Sequence, residues 1–258
     1  MEHLIPSFSI FLLIFMRLSA FFVTMPLFSY RTIPAMHRIG FAVILAWLMY
    51  YSIDAHSFVI DGKYILLIIK EAMVGLFIGF IAYLIVSAVQ IAGGFIDFQM
   101  GFAIANVLDP MTGTQSPLVG QYLYSFAILL LLGINGHHLI LDGIFYSYQF
   151  IPIDRMIPYG DPNLAEFVIR TFGKMFVIAF QMSIPVVAAL FLVDVALGIV
   201  ARTVPQLNIF VVGFPIKIGI TFIILVVVMG VIFGVCQHLF QYMFYSMRDL
   251  MKLIGGSS

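Results

Sequence analysis

Charge is what this sequence has least of. Lys and Arg number 12 and Asp and Glu 12, so only 9% of the residues are charged. A soluble globular domain carries about 25%, and that deficit, with 63% hydrophobic residues, excludes an ordinary soluble protein and indicates an integral membrane one. Zero net charge leaves no electrostatic footprint for nucleic acid. The single cysteine, Cys236, excludes an internal disulfide and a multi-cysteine metal site. It lies in an apolar run and reads as a small buried hydrophobe. There is no G-x-x-x-x-G-K-[ST] loop, no HExxH, no nucleophile elbow and no convergent set of acids, so no catalytic residue, metal or cofactor is expected. The start, Met1-Glu-His-Leu-Ile-Pro6, lacks the basic region and cleavage site of a removable signal, so the first apolar segment should stay.

What is present is about six apolar segments: Leu4–Phe28, Ile39–Ile53, Tyr64–Ala92, Leu118–Gly133 continuing past a break to Phe150, Leu164–Val200 and Ile209–Phe240. A simple span needs about 20 residues. The second segment is short, and the third and fifth are too long to cross upright. After the sixth, Gln241 to Lys252 reads as an amphipathic helix suited to a cytoplasmic membrane surface. Assigning connections alternately puts Arg31, Arg38 and Arg202 on one side and Lys63, Arg155, Arg248 and Lys252 on the other. That near-even split lacks the cytoplasmic bias of a multispanning protein. Either the spans are drawn wrongly or the chain is not a plain lipid-embedded bundle, and the second reading is preferred.

The stretch Gly93 to Pro117 stands apart. It has no Lys or Arg, carries Asp97, Asp109, Gln99 and Asn106, and is punctuated by Gly at 93, 94, 101 and 113 and Pro at 110 and 117. Gly and Pro free backbone groups that lipid cannot satisfy, so irregular backbone is tolerated only where protein buries it or a cavity lies beside it. The stretch is also too apolar for an aqueous loop. It reads either as a loop held inside a protein-walled path or as an ordinary turn between spans.

Charges inside the apolar runs need partners. A cation facing lipid costs roughly 2.5–3.5 kcal/mol on insertion scales, so Arg17 predicts a buried partner, whereas Arg31 and Arg38 can snorkel. Lys70-Glu71 opens the run containing Gly75-Leu-Phe-Ile-Gly79, and Gly230-Val-Ile-Phe-Gly234 repeats that small-residue spacing. Small residues four apart let helices approach closely. Gly133-Ile-Asn-Gly-His-His138, with Asp142 on the same helical face as His138, predicts a capping turn with locally bonded side chains in preference to a metal site. Asp161-Pro-Asn-Leu-Ala-Glu166 predicts a helix start with a carboxylate in its first turn. On the residues alone, three readings remain: a secondary transporter using Asp97, Asp142 or Asp194, an intramembrane enzyme, and a translocation-channel subunit with a Met- and Phe-rich constriction. The residues fit the channel subunit best.

The array Arg17…Pro26…Pro34…Arg38, then Lys70-Glu71…Gly75…Gly79…Ala92-Gly93…Asp97-Phe-Gln-Met-Gly101…Asp109-Pro110, resembles the FliR family. So do Asn135-Gly-His-His138…Ser147-Tyr…Pro152 and, most specifically, Ala201-Arg-Thr-Val-Pro-Gln-Leu-Asn-Ile-Phe210…Gly213-Phe-Pro-Ile-Lys217. That family is the flagellar type III export-gate subunit, related to subunits of virulence type III secretion. The resemblance implies an all-α membrane protein, several of its helices broken or over-long, in a helical export-gate complex. It implies a single domain over 1–258, FliP-like to about 160, with a FliQ-like C-terminal hairpin within 161–258.

The implied function is non-enzymatic. The chain would form part of the channel through which unfolded flagellar proteins leave the cell, required for flagellum assembly. The implied place is the bacterial cell membrane, as a multi-pass protein of the basal body. Expected partners are FliP-like and FliQ-like subunits, an FlhB-like switch protein, unfolded export substrates and membrane lipids. A proton-coupled transporter of small solutes is the alternative. By resemblance, Asn106 to Pro117 is the pore plug, with Asn106, Asp109, Pro110, Met111, Thr112, Gly113, Thr114 and Gln115. Asp97 and Gln99 are expected to anchor its near end. Arg17, Glu71, His138, Arg202, Gln206 and Lys217 are expected as buried polar or interface residues.

Overall fold

The computed structural model describes residues 8–29, 33–53, 58, 60–102, 117–156, 162–206 and 208–256. Among them every regular element is a helix: α1 Phe8–Thr24, α2 Ala35–Tyr50, α3 Gly62–Met100, α4 Leu118–Gly133, α5 Gly136–Phe150, α6 Pro162–Thr203 and α7 Ile209–Gly255. This is an all-α membrane protein. By length and composition α3, α6 and α7 from Val211 suffice to cross a membrane, and the bent pair α4 and α5 adds a fourth span only if the two are taken together as one. At 1.5 Å per residue, the 39, 42 and 47 residues of α3, α6 and α7 amount to about 58–70 Å of helix measured along the axis, roughly twice a bilayer core.

The chain forms two compact units. The first gathers 1–86, 135–172 and 241–258, and the second 87–134 and 173–240. In the first, α1 packs on α2 and on the early part of α3. Phe22, Phe28 and Phe41 form an aromatic cluster with centroids 4.7–5.8 Å apart, and Phe11 meets Trp47 edge-on at 6.3 Å. The Gly75/Gly79 pair lets α3 lie against α1, since a methyl at Gly75 would overlap the Arg17 carbonyl and one at Gly79 the Thr24 hydroxyl. Pro26 follows the end of α1, where Met25 and Ser29 close a turn by backbone bonds.

Four expectations need correction. The irregular stretch does not begin at Gly93, because α3 runs on to Met100. Its glycines do not break the helix, because Gly93 lies against the Gly120 backbone of α4 and Ile96 and Met100 are buried by protein. Next, Gln241 to Lys252 is the continuation of α7 and not a separate surface helix. The amphipathic pattern is real, but Met243, Met247, Leu250, Met251 and Ile254 face protein within the first unit.

The third concerns the turn before α5. Asn135 adopts a left-handed conformation (φ 56°) and makes no side-chain cap. Backbone geometry, and not locally bonded side chains, makes that turn. The fourth concerns the start of α6: the helix begins in the expected stretch, at Pro162, but its first turn holds no acid, and Asp161 lies outside the described residues. Proline at a first helical position loses no bond. Glu166 instead pairs with Arg170 one turn on, at 2.6 Å.

In the second unit, Phe95 meets Phe176 and Phe180 edge-on, Phe126 meets Phe233, and α3 and α4 approach backbone to backbone at Gly93 and Gly120. Gly230 and Gly234 have nothing within 4 Å of an added methyl. Gly93→Ala should therefore destabilise the protein by about 1–3 kcal/mol, because backbone and not a flexible side chain stands in the way. Gly234→Ala should be neutral or stabilising by up to about 1 kcal/mol through helix propensity. Thermal unfolding of the detergent-solubilised protein checks both.

Candidate functional site

In the first unit the polar residues converge on Arg17. Its side chain has no exposure, and neither do those of Lys70 and Glu71. Nε and Nη2 of Arg17 donate to the two oxygens of Glu71 at 2.5 and 3.0 Å. Nη1 donates to Ser147 Oγ at 2.9 Å and Nη2 also to the Ile151 carbonyl at 2.8 Å. The guanidinium stacks 3.8 Å from the centre of the Tyr148 ring. Lys70 Nζ lies 2.5 Å from Glu71 and donates to the Pro152 and Ile153 carbonyls at 2.8 and 3.1 Å. A buried charge is tolerable only when its bonding capacity is filled. Here one carboxylate serves two cations, and the carbonyls where the chain leaves α5 absorb the excess. Four sequence-distant pieces are thereby fixed: α1, α3, α5 and the turn at 151–153.

The second unit has its own polar centre where α3 ends. Gly101 (φ 97°) terminates the helix. Its N–H donates to Phe98 O and the Phe102 N–H to Asp97 O, the paired closing bonds of a Schellman motif. The Asp97 carboxylate meanwhile accepts the Val119 N–H at 3.0 and 3.3 Å, placing an anion at the first turn of α4. One residue thus ties the helix entering 103–116 to the helix leaving it. Gln99 Nε2 donates to Asp194 at 2.8 Å, and Asp194 forms an ion pair with Lys217. Lys217 also donates to the Gln99 carbonyl at 3.4 Å, and Phe102 lies edge-on to Phe214 at 5.9 Å.

Of the residues singled out in the sequence, Arg17 and Glu71 meet in the first centre, and Asp97, Gln99 and Lys217 gather in the second. His138 is exposed, its ring tilted against that of His137 with centroids 4.1 Å apart. Arg202 is exposed in the last turn of α6, where a cation suits the helix dipole, and Gln206 is exposed just beyond. Asn106 and Asp109 through Gln115 lie outside the described residues. Lys70, Ser147 and Tyr148 complete the first centre without having been chosen as site residues, and Asp194, named only for the transporter reading, completes the second. A Lys beside a Glu in an apolar run was the available signal for the first. Among the described residues no three metal-binding side chains gather.

The class is therefore a helical membrane protein with over-long helices, one fully buried ionic centre and a second that is half-buried. Known proteins narrow it. The family described as bacterial export proteins, family 1, matches residues 8–243, and the chain belongs to that family, the one that contains FliR. The flagellar biosynthetic protein FliR of Bacillus subtilis (strain 168) is 58% identical over 100% of both chains. That of Escherichia coli (strain K12) is 26% identical over 92% of this chain and 90% of its own. The Yop proteins translocation protein T of Yersinia pestis is 29% identical over 82% of each.

Glu71→Ala strands two buried cations and should cost about 3–5 kcal/mol. Arg17→Lys should also be damaging, since an ammonium cannot reproduce the two-pronged contact. The amount of each variant in the membrane, and its resistance to detergent unfolding, are the measurements.

Proposed function

We propose that this chain works as a membrane subunit of the flagellar protein-export apparatus. The observation that carries the reading is the end-to-end 58% identity with Bacillus subtilis FliR. The chain is a component of flagellar biosynthetic export, and the solute-transporter alternative finds no support beside it.

Within that role we assign it part of the wall of a channel for unfolded flagellar proteins, in the bacterial cell membrane at the basal body. FliP-like and FliQ-like subunits, an FlhB-like switch protein and membrane lipids are its neighbours. The part up to about residue 160 is FliP-like, and the FliQ-like hairpin lies in the remainder. The role is structural and not enzymatic. Bare apolar side chains along α6 and α7, such as Leu192, Val226 and Val227, support an assembly in which helices of other subunits or lipid cover them. His138, Arg202 and Gln206, being exposed, are assigned to contacts with neighbouring subunits. Asn106 to Pro117 is assigned as the plug of the closed channel, its stems held by Asp97 and by the Gln99–Asp194–Lys217 network.

A strain lacking this chain should fail to release hook and filament proteins and should be non-motile, with both restored by the intact gene. Normal release without it overturns the reading. Deleting Met111 to Gln115 should leave the complex assembled but leaky to ions and small solutes. An assembled complex with unchanged permeability removes the plug assignment and leaves the export role standing.

A further inference from the structure

We propose that the Gln99–Asp194–Lys217 cluster of the second unit is a releasable clasp. The end of α6 and the start of α7 that it holds form an arm, which swings away from the end of α3 when the clasp opens. Between Leu190 and Thr221 the only buried residue among those described is Gly213. On either side of that interval the helices are packed, α6 through Met182, Val186 and Leu190 and α7 through Thr221, Leu225 and Ile232. Asp194 and Lys217 each stand one helical turn beyond that packing, at the root of the arm.

What ties the arm to α3 is slight and mostly polar. Gln99 Nε2 donates to Asp194 at 2.8 Å, and Lys217 pairs with Asp194 and donates to the Gln99 carbonyl at 3.4 Å. The Phe102 ring lies edge-on to Phe214 at 5.9 Å. The Lys217 and Asp194 side chains are 19% and 35% exposed, whereas those of Arg17, Lys70 and Glu71 in the first unit have no exposure. Water and salt therefore compete for this pair and do not reach the other. The arm is also jointed. Pro215, two residues from Lys217, has no N–H for the Val211 carbonyl, and an interior proline weakens or kinks a helix. Gly198 and Gly219 face open space, so no packing offsets their poor helix propensity. An element with so few buried contacts opens locally at low cost. Neighbouring chains that cover the bare Leu192, Val195 and Ile199 fix the arm on assembly, so the device acts in the free chain. The clasp itself is independent of that assembly and of the export role.

The test measures the distance between spin labels on Tyr122→Cys, in α4, and Val204→Cys, at the tip of the arm, in the full chain purified in detergent. Both positions are exposed, and the native Cys236 is buried and stays unlabelled. At low salt one distance should dominate. Raising salt from about 0.01 to about 1 M shortens the screening length from about 30 to about 3 Å, and a second, separate distance should then hold a large share of the molecules. Asp194→Asn should show that second distance already at low salt and respond no further to added salt. Lys217→Gln should do the same. The salt series leaves the clasp residues unaltered, so a variant that fails to fold cannot imitate its result. A single distance that neither salt nor either variant changes overturns the proposal, and so does a spread of distances already present at low salt.

Discussion

Two cations and one carboxylate sealed away from water set the terms for the first unit. Lys70 has three donors and meets three acceptors: Glu71 and the carbonyls of Pro152 and Ile153. Arg17 spends its fork on Glu71, Ser147 and Ile151. Such a cluster contributes little net stability compared with apolar packing of the same volume, but it is intolerant of displacement. A shift of α1, α3 or α5 along its axis leaves a charge unpaired. Apolar contacts slide at small cost, so the ionic cluster supplies the register that the surrounding Leu, Ile and Phe do not. The glycines serve the same end, since α1 reaches α3 only because Gly75 and Gly79 leave space.

Much of this was legible in the residues. Scarcity of charge fixed the class, and the lengths of the third and fifth apolar runs anticipated helices longer than a bilayer. Arg17 in a purely apolar run demanded a partner, and Glu71 is that partner, 54 positions away. The spacing of Gly75 and Gly79 foretold a close helix contact, while the same spacing at Gly230 and Gly234 meets nothing in this chain. An identical local pattern therefore had two outcomes, decided by what the fold brings alongside.

Other features were hidden for physical reasons. Gly93 and Gly94 read as helix breakers because local propensity charges each about 1 kcal/mol. Packing against Gly120 overrides that cost and carries α3 to Met100. The amphipathic tail was correctly patterned, yet pattern does not distinguish a membrane surface from a protein face. Gln99, Asp194 and Lys217 meet across 95 and 118 positions, a pairing no local period reveals. His138 looked like part of a polar constellation and is instead a surface ring against its neighbour.

The end of α7 carries one more consequence. Residues 241–258 belong to the same compact unit as residues 1–86, with Gly255 lodged against the Phe150 carbonyl and Met247 and Met251 buried. Proteins usually acquire structure from the N-terminus onward during synthesis. Here the earliest helices wait, incompletely enclosed, until the ribosome has delivered α7 to its last turn. The early helices and the last part of α7 are thus joined in one cooperative unit, which closes only once α7 has been made.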